Sequence, residues 1–265
     1  MLKELCDLVA VAGYEDNIQN YILNKLSGFN VKKDNVGNII CYIKGKNSDR
    51  RNLIIAHMDE VGFQITKKIN EMCYEFKNLG NVKTWNLNNQ HVLFESGIKG
   101  VVYAKDETKI QAKNFENLYV YIADKKSVNI GDTFTFSNDF IESESDYIGK
   151  SLDNRISVCG LLDFLLKTPS LNLKNDLYIV FSVQEEIGMR GAKVAISSIK
   201  PDLILVIDTS CVGEKNNLLM GNGIGIKISD SIGVSSRELV KKIISITEKN
   251  SIKYQLEVSD CGTTE

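Results

Sequence analysis

The stretch "RNLIIAHMDEVGF", residues 51–63, sets the architecture of the amino-terminal part of the chain. Its apolar run "LIIA" at residues 53–56 is typical of a strand that is buried on both faces of a sheet. The run ends directly in His57 and, two residues on, Asp59, although the chain has only two histidines. A histidine and a carboxylate that follow a buried strand indicate a binding or catalytic site at that edge of the sheet.

On both sides of this stretch the chain alternates helix and strand, except in its centre. Residues 15–28, "EDNIQNYILNKLSG", place Ile18, Tyr21, Ile22 and Leu26 on one helical face, and "NIICYI" at 38–43 predicts a strand that neighbours residues 53–56. From 67 to 147 no helical period persists. Short β-prone pieces such as "HVLFE" and "NLYVYIA" are separated there by turn residues, which predicts a small β-barrel or sandwich.

Helix and strand alternate again after residue 149. The first predicted element is a helix capped by Asp153 or Asn154 and running to residue 166. Buried strands follow at "DLYIVFSV" and "DLILVIDT", with a helix at "RGAKVAISSI" between them. The last two elements are a helix with a capping box at Ser235 and Glu238, and a strand at "IKYQLEVS". We therefore predict an α/β fold with a mixed, mostly parallel sheet flanked by helices. This domain is discontinuous, at residues 1–66 and 148–265, and the inserted barrel domain occupies residues 67–147.

Composition excludes several classes of protein. With 43% hydrophobic and 25% charged residues the chain can bury a core, and a net charge of −2 gives no reason to expect nucleic acid. Its apolar runs are too short to span a membrane, and Glu4 and Asp7 lie where a signal peptide carries basic residues. We expect a cytoplasmic protein without a nucleic-acid or membrane partner. The six cysteines are scattered without a Cys-x-x-Cys pair, which disfavours a thiolate zinc site.

The unusual polar residues follow the predicted strands. His57 and Asp59 follow one strand, Glu185 and Glu186 the next, and Asp208 the third, while Asp153 lies where a helix begins. Ligands of open α/β sheets bind beyond the carboxyl ends of the strands, so we expect these side chains to meet. So many carboxylates would repel one another unless a divalent cation joined them.

In this interpretation His57 is a metal ligand and Asp59 fixes the orientation of its ring. One carboxylate of the Glu185–Glu186 pair coordinates, and the other acts as general base. Each feature alone has an ordinary explanation: a local hydrogen bond, solvated charge or a helix cap. Their joint placement at the ends of strands favours the metal site.

Four motifs carry a resemblance to a known family. "AHMDEVGF", "GKSLDNRISV", "VQEEIGMRGA" and "DTS" occur in this order around the β-rich insert. The chain thereby resembles the glutamyl and deblocking aminopeptidases, the tetrahedral two-metal metallo-aminopeptidases. The resemblance implies a zinc-aminopeptidase-like fold with two divalent metal ions, zinc or cobalt. Imidazole and carboxylate ligands also accept manganese. His57 and Asp208 would bind one ion, Asp153 would bridge, and Glu186 would bind the second.

The same resemblance implies the reaction and the assembly. Glu185 would serve as general base for a metal-activated water that releases N-terminal residues from short peptides. Asp59, the partner that orients His57 in the interpretation above, is the second candidate catalytic residue. Twelve subunits, arranged as dimers, would form a homo-oligomer with the insert in the contacts.

The chain departs from the family at its carboxyl end. Members of the family continue past a glycine-rich turn that "DCGTTE", residues 260–265, resembles, and a later histidine completes the second metal's ligands. We therefore expect a C-terminally shortened chain with an incomplete second metal site, either a fragment of a longer protein or a natural short form. The alternatives are an impaired or non-catalytic assembly or regulatory homologue, and a related two-metal deacylase or carboxypeptidase.

Overall fold

The computed structural model describes residues 1–106, 108, 114–124, 128–213, 218–259 and 264, and the chain divides into two compact units, residues 1–208 and 209–264. The helices are α1 (Leu2–Asp7), α2 (Asp16–Lys25), α3 (Leu152–Lys167), α4 (Arg190–Ile199) and α5 (Arg237–Lys249). The strands are β1 (Val31–Lys33), β2 (Ile39–Ile43), β3 (Arg51–His57), β4 (Gly62–Lys68), β5 (Cys73–Leu79), β6 (His91–Phe94), β7 (Lys99–Ala104), β8 (Leu118–Tyr121), β9 (Thr133–Phe136), β10 (Ile141–Glu142), β11 (Tyr147–Ile148), β12 (Asp176–Ser182), β13 (Leu203–Val206), β14 (Ile224–Ser229) and β15 (Tyr254–Val258).

The first unit contains a five-stranded mixed sheet in the order β1-β2-β12-β3-β13. β2 is antiparallel to β1 and β12, whereas β3 is parallel to both β12 and β13. The mixed α/β architecture predicted from the sequence is confirmed. The expectation that β2 and β3 are neighbours was wrong, because β12 lies between them. All but one of the residues of β12 are buried, and such an apolar strand is most stable in the middle of a sheet.

Helices cover both faces of this sheet. On one face α2 and α3 bury Ile18, Ile22 and Leu162 against strand residues such as Phe181. On the other face α4 packs its alanines against the apolar side chains of β3 and β12. The sheet is therefore enclosed between two helical layers, and only its edges and strand ends can carry a site.

Three local expectations were wrong. β13 is only partly buried, because it is the edge strand of the sheet. Asp153 and Asn154 do not cap α3: the helix follows Ser151, and both residues have non-helical backbone angles. The cap of α5 is Ser236 rather than Ser235, and the Ser236 hydroxyl accepts a hydrogen bond from the Leu239 amide.

The segment between β3 and α3 forms a closed six-stranded barrel in the order β4-β5-β8-β7-β6-β9. Its core is aromatic: the ring of Phe63 lies 5.3 Å from Phe76 and 5.1 Å from Phe134, centroid to centroid. β4 begins at Gly62, five residues after His57, and the chain returns from the barrel through the hairpin β10–β11 just before α3. The chain therefore leaves the sheet at His57 and re-enters this part of the fold at α3, where Asp153 lies.

The second unit contains the parallel pair β14 and β15, which α5 connects. The buried residues Ile226 and Thr247 come from its first strand and its helix. Within the described part of the chain, every helix is either too short or too polar to cross a lipid bilayer.

Candidate metal centre

Three strands of the sheet end at the same edge. In the register of the sheet Ser182 pairs with His57, and Val206 pairs with Ile55. His57 is therefore the last residue of β3, and Asp208 follows two residues after β13. The arrangement is the one expected for a ligand site at the carboxyl ends of parallel strands.

Asp153 reaches this edge from the start of α3. The side-chain amide of the following residue, Asn154, donates a hydrogen bond of 2.9 Å to the carbonyl oxygen of Ile207. This contact joins the beginning of α3 to the residue that precedes Asp208. Asn154 and Ile207 are 53 residues apart in the chain, and their hydrogen bond brings the neighbouring residues Asp153 and Asp208 together.

His57, Asp153 and Asp208 form one compact cluster. The Nε2 atom of His57 lies 3.0 Å from Oδ1 of Asp153 and 3.6 Å from Oδ1 of Asp208. One ligand atom from each of the three residues lies within 4.8 Å of the others. The side chain of His57 is only 2% exposed, whereas that of Asp153 is 61% exposed. The cluster is thus closed on the side of the sheet and open to solvent at Asp153.

Asp59 is completely buried and holds the next loop by both oxygens. Its Oδ1 accepts a hydrogen bond from the Glu185 amide at 3.0 Å, and its Oδ2 accepts one from the Glu186 amide at 3.1 Å. Its Oδ1 also lies 3.5 Å from Nδ1 of His57, which is longer than a normal hydrogen bond. Asp59 therefore lies against the ring of His57, as predicted, but its shorter contacts are the hydrogen bonds from the backbone amides of Glu185 and Glu186.

The ionisable side chains at this edge of the sheet shift one another's pKa values. Burial opposes protonation of His57, but the carboxylates of Asp153, Asp208 and Asp59 together raise its pKa well above the ordinary value. Burial raises the pKa of Glu185 to about 7 and that of Glu186 to about 8. The charges of His57 and Asp153 contribute to both of these shifts, so both glutamates lie within electrostatic range of the cluster.

The cluster suits a divalent cation. One imidazole nitrogen and two carboxylate oxygens converge, a set of ligands that zinc, cobalt and manganese accept. A cation there would neutralise acids that otherwise repel one another. Glu186 does not belong to the three-residue cluster among the described residues. The motif "DCGTTE" lies outside the described residues, except for Thr264.

Four polar residues that support the site were not among those predicted from the sequence. Glu60 and Lys150 form a buried ion pair of 2.9 Å between the segments that carry His57 and Asp153. Glu15 and Asn38 accept hydrogen bonds from the segment that ends in Glu185. Glu60 and Lys150 lie within the quoted motifs, so charged residues inside otherwise buried motifs were the available signal. Glu15 and Asn38 carried no such signal.

Comparison with known proteins places the chain in a family. The model of the family described as M42 glutamyl aminopeptidase matches residues 37–265. The chain belongs to this family. Together with the peptidase structures that share the fold, this makes the protein a peptidase and confirms the resemblance inferred from the four motifs.

The relatives of this M42 chain cover it almost completely. An inferred aminopeptidase of Acetivibrio thermocellus is 32% identical over 99% of this chain and 82% of its own length. A lysyl aminopeptidase of Pyrococcus furiosus is 26% identical over 98% of this chain and 80% of its own length. The structure of the TET1 peptidase of Pyrococcus horikoshii, which can assemble into a tetrahedron or a large octahedral shell, superimposes with a TM-score of 0.90 at 27% identity, over 99% of this chain and 84% of that one.

Proposed function

We propose that the protein is a metal-dependent aminopeptidase that releases N-terminal residues from short peptides. The observation that carries the proposal is the convergence of His57, Asp153 and Asp208 at the strand ends. Beside this cluster lies a glutamate pair whose backbone is held by a buried aspartate. Membership in the M42 family supports the choice of peptide as substrate, and its aminopeptidase relatives support cleavage at the amino terminus.

Two divalent metal ions complete the proposed centre, with zinc or cobalt favoured and manganese acceptable. His57 and Asp208 would hold the first ion, Asp153 would bridge, and Glu186 would hold the second. Asp153 suits the bridging role because its side chain is the most exposed of the cluster, so its second oxygen can serve another partner. When bound, the ions supply positive charge that polarises the scissile carbonyl and makes the attacking water more acidic.

The general base in this proposal is Glu185. Its carboxylate would take a proton from the attacking water as oxygen bonds to the carbonyl carbon, and pass that proton to the nitrogen of the leaving peptide as the carbon–nitrogen bond breaks. The backbone of Glu185 is held by Asp59, and its position after β12 sets it beside the cluster. Asp59 would act through this backbone contact and through its proximity to His57.

We also propose a division of labour along the chain. Residues 1–66 and 148–265 would form the catalytic domain, and the insert at 67–147, whose barrel also takes in β4 from Gly62, would supply contacts in a homo-oligomer. The assembly of the TET1 peptidase, which shares the fold at a TM-score of 0.90, supports the oligomer. The assignment of the barrel to subunit contacts is supported because His57, Asp153 and Asp208, the three clustered ligands, all lie outside its strands.

The decisive experiment is the variant Glu185→Gln. It removes the base but keeps the size of the side chain and the backbone contact to Asp59, so we expect kcat on peptides with a free amino terminus to fall by roughly 10²–10⁴-fold. Metal content, measured by elemental analysis after gel filtration, should stay at the wild-type value.

Peptides with a blocked amino terminus provide the control for the reaction type. A deacylase or carboxypeptidase would hydrolyse acylated substrates, whereas the proposed aminopeptidase would leave them intact. Wild-type protein that is loaded with zinc, cobalt or manganese and releases no amino acid from a panel of free peptides would refute the proposal.

A further inference from the structure

Four consecutive backbone amides, those of residues 183–186, donate to buried side chains. The amide of Val183 donates to Oδ1 of Asn38 at 3.1 Å, and the amide of Gln184 donates to Oε1 of Glu15 at 3.0 Å. The next two amides donate to the carboxylate of Asp59, as described above. We call these three side chains, Glu15, Asn38 and Asp59, the amide cradle.

The side chains of the cradle are themselves fixed. Glu15 is 4% exposed, and Asn38 and Asp59 are fully buried. The Nδ2 atom of Asn38 donates to Oδ2 of Asp34 at 2.7 Å, and Oε1 of Glu15 also accepts from the amide of Gly13 at 2.7 Å. Buried groups with several hydrogen bonds hold one position, so the cradle provides a rigid reference for the segment.

The segment needs such support because regular structure does not provide it. β12 ends at Ser182 and α4 begins at Arg190, so the intervening amides have no strand partner. Gln184 has a φ of 56°, in the left-handed region that costs about 1–2 kcal/mol for a residue other than glycine. The amide bonded to Glu15 belongs to this residue, which directly precedes the proposed general base.

We propose that Glu15 is a positioning residue for the reaction: by holding the Gln184 amide it sets where the Glu185 carboxylate lies. This inference rests on the proposed function. Burial raises the pKa of Glu15 to about 7, and Asp59 adds to this shift, so the side chain serves the Gln184 amide through its oxygen and does not need to be ionised. A general base that is displaced by about 1 Å can lose about 100-fold in rate, so the contact has a direct route to kcat.

The test compares three variants of Glu15. Glu15→Ala removes the acceptor, and Glu15→Asp keeps the charge but withdraws the carboxylate by one methylene. Both should lower kcat by about 10–100-fold and leave KM within about threefold, because the base is misplaced while substrate contacts persist. Glu15→Gln keeps an oxygen at the same reach and should restore kcat to within about threefold of wild type.

Asp176 provides a matched control at the opposite end of β12. It is 5% exposed, and its Oδ1 accepts from the Gly45 amide at 2.9 Å and from the Ser48 hydroxyl at 3.0 Å. Asp176→Ala should lower the melting temperature and leave kcat within about twofold. Glu15→Ala with the kcat of wild type, or Asp176→Ala with the same loss of kcat, would overturn the inference.

Amide hydrogen exchange tests the cradle without any assay of activity. In Glu15→Ala and Glu15→Asp the Gln184 amide should exchange at least about tenfold faster than in wild type, and in Glu15→Gln at the wild-type rate. Unchanged exchange in all three variants would refute the contact itself. An inactive wild-type protein with the expected exchange pattern would refute the proposed function and, with it, the role of Glu15 in catalysis.

Discussion

Asp59 shows how much one buried side chain contributes to this site. Its two oxygens accept from two successive amides, at 3.0 and 3.1 Å, and one of them faces His57. A carboxylate offers acceptors on both oxygens, whereas an amide of the same shape offers only one. The position therefore requires an aspartate rather than any polar residue of its size.

The double contact of Asp59 predicts the effect of Asp59→Asn. One of the two amides, that of Glu185 or Glu186, would face an NH₂ group and lose its partner, which costs about 1–3 kcal/mol in a buried place. We expect the free energy of unfolding, measured in urea, to fall by this amount and kcat to fall at least about tenfold. A variant with unchanged stability would contradict the double contact.

The start of α4 is the element that closes the segment after β12. The amide of Gly191 donates a hydrogen bond to the carbonyl oxygen of Val183 at 3.0 Å. The carbonyl oxygen of Gly191 accepts a hydrogen bond from Nδ2 of Asn38 at 3.0 Å. A Cβ at Gly191 would lie 2.4 Å from Oδ1 of Asn38 and 2.4 Å from the carbonyl oxygen of Val183. Only glycine allows the helix to approach the strand end this closely.

Gly191→Ala should therefore be destabilising. The methyl group must push α4 away from Val183, and overpacking of this kind costs about 1–3 kcal/mol. Gly160→Ala is the matched control, because Gly160 lies in α3 with no atom within 4 Å of its Cβ position. That substitution should stabilise the helix by up to about 1 kcal/mol. Chemical denaturation measures both, and equal effects would contradict the steric argument.

At the scale of the whole first unit, Glu60 joins segments that are far apart in the chain. Its carboxylate accepts from the Ala10 amide at 2.9 Å, from Nζ of Lys150 at 2.9 Å, and from the hydroxyls of Ser151 and, at 3.2 Å, Thr135. The amino-terminal segment, the barrel and the beginning of α3 thus meet at one buried charge. Because Asp59 directly precedes Glu60, the contacts of Glu60 also hold the backbone of Asp59, one of the three residues of the amide cradle, in place.

The buried pair predicts a dependence of stability on pH. Burial opposes ionisation of Glu60, but Lys150 and Arg155 lower its pKa below 4.5. A lowered pKa in the folded state means that the stabilisation is complete above the pKa of the unfolded chain and is lost as pH falls through the lower folded value. Glu60→Gln should therefore be less stable than wild type at pH 7 by about 3–5 kcal/mol, since Lys150 and Arg155 stay buried without their anion.

Urea unfolding between pH 3 and 7 measures this difference. The gap between wild type and Glu60→Gln should narrow as the pH falls below about 4.5, because protonation of Glu60 removes the same charge from the wild type. A gap that stays constant over this range would contradict the assignment of the charge to Glu60.

The order of amino acids predicted several of the elements and the edge of the sheet at which the candidate site lies. Apolar runs and helical periods predicted β12, α2 and the β-rich insert, because these signals arise from residues that are near one another in the chain. The end of "LIIA" in His57 and the acids after β12 and β13 predicted a shared edge, because parallel strands end together.

Long-range packing was needed for the rest. It placed β12 between β2 and β3, and it brought Glu15 to the amide of Gln184 across 169 residues and Asn38 to the amide of Val183 across 145. Side chains such as Glu15 and Asn38 act by accepting hydrogen bonds from backbone amides, and every residue except proline carries such an amide. No local pattern can therefore reveal the partner, which exists only where the folded chain brings an acceptor within about 3 Å of it.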